Sequence, residues 1–157
     1  MKQLIIVRKD LNMSKGKMAT QVSHASMAFL TNSIKRNSNP IYAFENDEKL
    51  IGYAYKYVFD KELYESWING TFTKIVCQAK NKNDLLKCIN IANDLNLKEN
   101  EDYFLIKDNC LTELTSEEYD DNGVGRCLTC IGFKPLRDDI FSNPRLKSWA
   151  CKREVKI

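Results

Sequence analysis

Apolar residues recur along this chain with two periods. Leu4-Ile5-Ile6-Val7 is a continuous apolar run within residues 3–8 and predicts a strand covered on both faces. Over residues 14–36 the period becomes helical. Met18, Val22, Ala25 and Phe29 share one face, while Lys17, Gln21 and His24 fall at i, i+4 and i+7 on another. Ser14 is placed to cap this helix. Thr71 to Ala79 predicts a second strand, rich in β-branched and aromatic residues. Asn81 caps a predicted helix over 82–96, with Leu85, Leu86, Ile89, Ala92 and Leu95 inward. Tyr103 to Lys107 and Arg126 to Gly132 predict the third and fourth strands, and Pro135 opens a short helix to about Phe141.

Three stretches read less regularly. Residues 61–68 look helical and stop at Asn69-Gly70. Before them, Tyr53, Tyr55 and Tyr57 alternate with period two, as an extra strand or as aromatic packing in a core or interface. Residues 116–126 read as an acidic, glycine-containing loop, and the end of the chain as a basic, irregular tail. The order β-α-β-α-β-β implies an α/β fold: a mixed four-stranded sheet with helices packed on both faces and an inserted segment after the first helix. The length suits one domain, 1–157, with the insertion at about 38–62 and the tail at about 142–157.

Charge and cysteine usage sharpen this picture. The net charge of +3 divides into +6 over residues 1–36, +4 over 134–157 and −7 between them. Basic ends suit a polyanion partner, and equally a solvated surface. No apolar run is long enough to span a membrane, so a cytoplasmic protein without a membrane partner is expected. The six cysteines include one C-x-x-C, Cys127 to Cys130. In a regular strand these two side chains point to opposite faces, which disfavours a shared metal. Reduced, mostly buried thiols are expected, with no metal and no cofactor.

The chemistry concentrates between Arg8 and Ala25. A strand, a cationic turn containing a glycine and a helix N-terminus together suit a phosphate or another anion. Lys15-Gly16-Lys17 is not a nucleotide-triphosphate loop, since Leu11 stands where that motif needs glycine and Met18 where it needs Ser or Thr. A G-x-G-x-x-G fingerprint is absent, which disfavours a dinucleotide site.

The run R-K-D-L-N-M-S-K-G-K-M-A-T-Q-V-S-H-A closely resembles the N-terminal signature of the type-2 (archaeal and eukaryotic type) peptidyl-tRNA hydrolases, with every fixed position met. More weakly, Asp108-Asn109-Cys110-Leu111-Thr112-Glu113-Leu114 is similar to the family's Asp-Ala-Gly-x-Thr-Gln-Ile, and Ile131-Gly132 to its Ile-Gly-Pro. Departures fall in the second half. Asn109-Cys110 replaces Ala-Gly, Glu113 replaces Gln, Cys127 stands at the family's threonine in the last strand, and Phe133 follows Ile-Gly. The insertion adds roughly twenty residues, more than ordinary loop variation.

The resemblance implies a metal-independent esterase that cleaves the bond between a peptide, or an N-blocked amino acid, and the 3′ end of tRNA. It also implies a homodimer. Carried onto this chain, Lys17, Asp108, Thr112 and His24 become the catalytic candidates. Lys17 supplies fixed positive charge and Asp108 orients or partly deprotonates water. Thr112 holds that water or donates to the oxyanion, and His24 bonds within the cluster or to substrate. Arg8, Lys9, Lys15, Gln21, Glu113 and Cys127 become substrate-binding candidates. The departures keep a second reading open: a family-derived protein that binds tRNA or another RNA without turnover, or with an altered substrate.

Overall fold

The computed structural model describes residues 1–43 and 49–152, the last four of these by their backbone alone. Its centre is β1 (Gln3–Arg8), every residue of which is buried. β1 pairs in parallel with β4 (Lys74–Ala79) and antiparallel with β7 (Gly125–Phe133), which in turn pairs antiparallel with β5 (Tyr103–Asp108). The order β4-β1-β7-β5 makes a mixed sheet, to which the two-residue β6 (Glu118–Tyr119) adds a fifth strand beside the start of β7. The acidic stretch expected as a loop therefore contains a short hairpin, closed by Arg126 on Asp120 (2.6 Å).

Alternation along β1 explains its unbroken apolar run. Ile5 and Val7 pack with Met18, Val22 and Ala25 of α1 (Lys15–Asn37) on one face of the sheet. Leu4 and Ile6 pack with Leu85, Cys88 and Ala92 of α2 (Lys82–Asp94) on the other. With a helix layer over each face, neither set of side chains meets water, and a strand in that position has no polar side. Buried Gln3 fastens α1 to this frame, its amide donating to Ser26 O (2.9 Å) and Phe133 O (3.0 Å). Gly132 is required for the same packing, because a Cβ there would lie 2.3 Å from Ala25 O.

Both caps expected for the main helices are present. The Ser14 hydroxyl accepts from Lys17 N, and the Asn81 side chain accepts from Asp84 N. The buried stripe of α2 is Leu85, Cys88, Ile91 and Ala92, whereas Leu86 is exposed, one position off that stripe. After α3 (Asp138–Phe141), the segment expected to be irregular forms α4 (Pro144–Lys152), and its Leu146 is fully buried in the α2-side core. Residues 153–157 of the basic tail lie outside the described residues.

Within the segment after α1, β2 (Asn39–Tyr42) and β3 (Leu50–Ala54) pair antiparallel as a separate two-stranded sheet. Tyr53 lies in β3, but Tyr55 and Tyr57 lie beyond it. They form a chain of rings with Phe59 and Tyr64, and the Tyr55 hydroxyl meets Ser33 Oγ of α1 at 2.5 Å. A π-type helical segment, Leu63–Thr71, then buries Trp67 edge-on against Phe29 and loses helical geometry at Gly70.

Candidate active site

The site residues come from three elements that meet at one end of the sheet. α1 brings Lys17, Gln21 and His24 on its polar stripe. β5 ends at Asp108, and the loop after it carries Thr112. All five side chains line one groove of about 650 Å³.

Lys17 Nζ lies 2.7 Å from Asp108 Oδ2 and donates to Thr112 Oγ1 at 3.0 Å. An ammonium has three N–H groups, so one is left without a partner among the described residues. Gln21 Nε2 donates to the same Asp108 oxygen at 2.7 Å. The other oxygen, Oδ1, accepts the Cys110 backbone N–H at 2.8 Å. Burial alone pushes the Asp108 carboxyl up. Lys17, the Cys110 N–H and Gln21 outweigh it and hold the group below its ordinary value. Asp108 is therefore ionised at neutral pH. The turn that supplies the Cys110 N–H needs a left-handed backbone there (φ +55°), a conformation that glycine adopts freely and cysteine does not.

One residue absent from the sequence expectations joins this cluster. Opposite Ile106, β7 carries an extra residue, since Ile106 pairs with Cys130 and Lys107 already pairs with Leu128. This β-bulge turns the Thr129 hydroxyl toward α1, within 2.7 Å of Gln21 Oε1 and 3.0 Å of Ile106 O. A chain of contacts thus runs Thr129–Gln21–Asp108–Lys17–Thr112, with Gln21 buried in the groove wall and Thr129 buried behind it. A polar residue within the apolar run Cys127 to Ile131 is the sequence signal for Thr129. Its orientation depends on the bulge.

The bulge also corrects the reading of the C-x-x-C. Cys127 and Cys130 lie on the same face, in the α1-side core, not on opposite ones. Both are fully buried. Burial pushes the thiols up, Cys127 to about 11 and Cys130 to about 12. Cys127 does not line the groove. No group of three or more His, Cys, Asp or Glu side chains suited to a metal ion occurs among the described residues.

The remaining candidates divide between surface and scaffold. Lys9 and Lys15 are exposed near the start of α1. His24 is exposed in the groove and makes no side-chain hydrogen bond among the described residues. Arg8 is buried. It pairs with Asp10 (2.7 Å) and Glu117 (2.7 Å) and donates to Leu128 O (2.9 Å), so it braces β1 against β7. Glu113 caps α1, its carboxylate accepting from Ser14 N (2.9 Å) and Ser14 Oγ (2.7 Å). These bonds, the backbone one foremost, hold its carboxyl below the ordinary value.

Comparison with known proteins identifies the family. A family model described as peptidyl-tRNA hydrolase PTH2 matches residues 1–144. A peptidyl-tRNA hydrolase of Methanopyrus kandleri is 32% identical over 139 residues, covering 88% of this chain and 87% of its own. One of Staphylothermus marinus is 34% identical over 124 residues, covering 79% and 80%. One of Sulfolobus acidocaldarius is 34% identical over 92 residues, covering 59% and 62%. The chain belongs to the PTH2 family of peptidyl-tRNA hydrolases.

Proposed function

We infer that this protein hydrolyses the ester joining a peptide to the 3′ end of tRNA, and that the Lys17–Asp108–Thr112 cluster carries out the reaction. The observation that carries this reading is the Lys17 ammonium. It is fixed by Asp108 and Thr112, and one of its N–H groups has no partner among the described residues. Ester hydrolysis needs a positioned water and a stabilised oxyanion. Asp108 Oδ2 is occupied by Lys17 and Gln21, while Oδ1 has one lone pair beyond the Cys110 N–H. A water donating to Oδ1 and held by the Thr112 hydroxyl faces the carbonyl carbon. Its oxygen bonds to that carbon, and the carbonyl oxygen takes up negative charge against Lys17. The carbon–oxygen bond to the ribose then breaks. One water proton ends on the 3′ oxygen, the second passes to solvent, and the peptide leaves as a carboxylate. With its depressed pKa, Asp108 orients this water rather than storing its proton at rest. His24, further along the groove, contacts substrate.

Exposed Lys15 opens α1 two residues before Lys17, and with exposed Lys9 it suits phosphates of the acceptor end. Arg8, Glu113 and Cys127 have structural roles in this reading. A single catalytic unit spanning the chain and a homodimer, as the family resemblance implies, complete the proposal. Sedimentation equilibrium tests the dimer. The named relatives and the occupied Lys17–Asp108 pair favour turnover over RNA binding without it. The direct test is whether the purified protein releases free tRNA from an N-blocked aminoacyl-tRNA. An intact ester after prolonged incubation would overturn the reading.

A further inference from the structure

The groove continues well beyond the Lys17–Asp108 cluster. Its α1 wall reaches Lys35, about 27 Å from Lys17 at the ~1.5 Å rise of a helix. Its other wall is β5, from Asp108 back to Phe104. β5 is the last strand of the sheet: β7 is its one strand partner among the described residues, and only an isolated bridge from Tyr103 to Glu99 touches its other side. On its outer side, Tyr103 N donates to Lys98 O (3.2 Å) and Tyr103 O accepts from Asn100 N (2.7 Å). Tyr103 therefore directs both backbone groups away from β7. Alternate residues of an antiparallel ladder point the same way, so Leu105 and Lys107 also turn their N–H and C=O outward. Along this stretch α1 contributes Thr20, His24, Met27 and Thr31, with no Asp, Glu, Lys or Arg between Lys17 and Lys35 in the lining. The Lys107 ammonium is engaged by Glu118 (2.5 Å).

We propose that this groove binds the peptide of the substrate as an extended strand added to the free edge of β5. The proposal rests on ester hydrolysis at the Lys17–Asp108 end. That end fixes the direction: the peptide's C-terminal carbonyl sits by Asp108 and its preceding residues run toward Phe104, parallel to β5. At ~3.3 Å per residue, the Phe104–Asp108 edge accommodates about four or five residues. Main-chain pairing reads no side chain, so peptides of any sequence fit. A sugar–phosphate backbone has no alternating N–H and C=O to match this edge. Exposed Lys15, suited to phosphates, opens α1 at the end of the groove away from Phe104.

Steady-state kinetics of the full chain on tRNAs carrying N-acetylated alanine peptides of one to six residues tests this. KM is expected to fall about tenfold up to about four residues and then level, with kcat nearly constant. Backbone N-methylation of the peptide should raise KM fivefold or more at every second residue and have little effect between. A KM independent of length, or methylation without alternation, overturns the proposal. A photoreactive side chain three residues before the ester should crosslink to Met27–Asn32 of α1. A crosslink there from a photoreactive acceptor-end nucleotide instead assigns the groove to RNA and also overturns it. Failure to cleave any of these substrates contradicts the proposed hydrolysis, and the crosslinks still decide the occupant of the groove.

Discussion

Removing one member of the Lys17–Asp108 pair should cost more stability than removing both. The two charged groups are 2.7 Å apart, with side chains 14% and 10% exposed. Stranding one charge of a fully buried pair costs about 3–5 kcal/mol, and the opening of this pair to the groove brings the expectation to roughly 2 kcal/mol. For a chain of this length that lowers Tm by about 4–8 °C. Lys17→Met leaves the Asp108 carboxylate with only the Gln21 and Cys110 donors, and Asp108→Asn leaves the ammonium with only Thr112. The double variant strands neither charge and should lie within about 1 kcal/mol of wild type. Activity should behave oppositely. Each single variant is expected to lose at least about tenfold, near 1.4 kcal/mol of transition-state stabilisation, and the double should regain none of it. Because the folded pKa of Asp108 is depressed, its contribution to stability is present above the ordinary carboxyl value. It disappears as pH falls through the folded value, so Asp108→Asn should flatten that acid limb. Urea and thermal unfolding of the four proteins from pH 7 to pH 2, beside hydrolysis rates, provide the readout. A double variant as unstable as the two single effects added together would refute the pairing. Wild-type activity in either single variant would remove that residue from the mechanism.

Further outcomes follow from neighbouring contacts. Thr129→Val leaves buried Gln21 Oε1 without its donor and should cost about 1–3 kcal/mol, with activity reduced through Gln21. Thr129→Ser should restore both, and equal behaviour of the Ser and Val variants would exclude the hydroxyl. With iodoacetamide at pH 7.5, mass spectrometry should find Cys110 modified, while buried Cys127 and Cys130 react only on unfolding. Rapid native labelling of Cys127 would place it at the surface. Affinity for tRNA should fall linearly with salt on logarithmic axes. Replacing both Lys9 and Lys15 by Ala should lower that slope by about 2, and an unchanged slope would place the phosphates elsewhere.

Residues 1–36 were legible because every level of the sequence agreed there. The run Leu4–Val7 has no polar face, Ser14 stands where a helix cap belongs, and Lys17, Gln21 and His24 share a stripe whatever the helix packs against. Asp108 and Thr112 were accessible through resemblance alone, since a short turn has no period. What escaped depends on pairing between distant segments. The bulge opposite Ile106 arises from the register of β7 against β5, and it brought Thr129 to Gln21 and put Cys127 and Cys130 on one face. The hairpin of β6 with β7 is two pairs long, too short for alternation to register. Leu146 gives α4 its buried contact, but in the sequence it stands between Arg145 and Lys147, in a short basic stretch that reads as tail. Glu113 stood at a position resembling the site, yet its carboxylate turns to Ser14.

The most direct test of the central claim is single-turnover hydrolysis of an N-blocked aminoacyl-tRNA by the wild-type protein and by Asp108→Asn. The expected result is complete release of tRNA with a free 3′ hydroxyl by the wild type, and a rate at most about a tenth as fast for the variant. A wild-type protein that binds this substrate and leaves its ester intact would contradict the account, as would an Asp108→Asn variant that cleaves it at the wild-type rate.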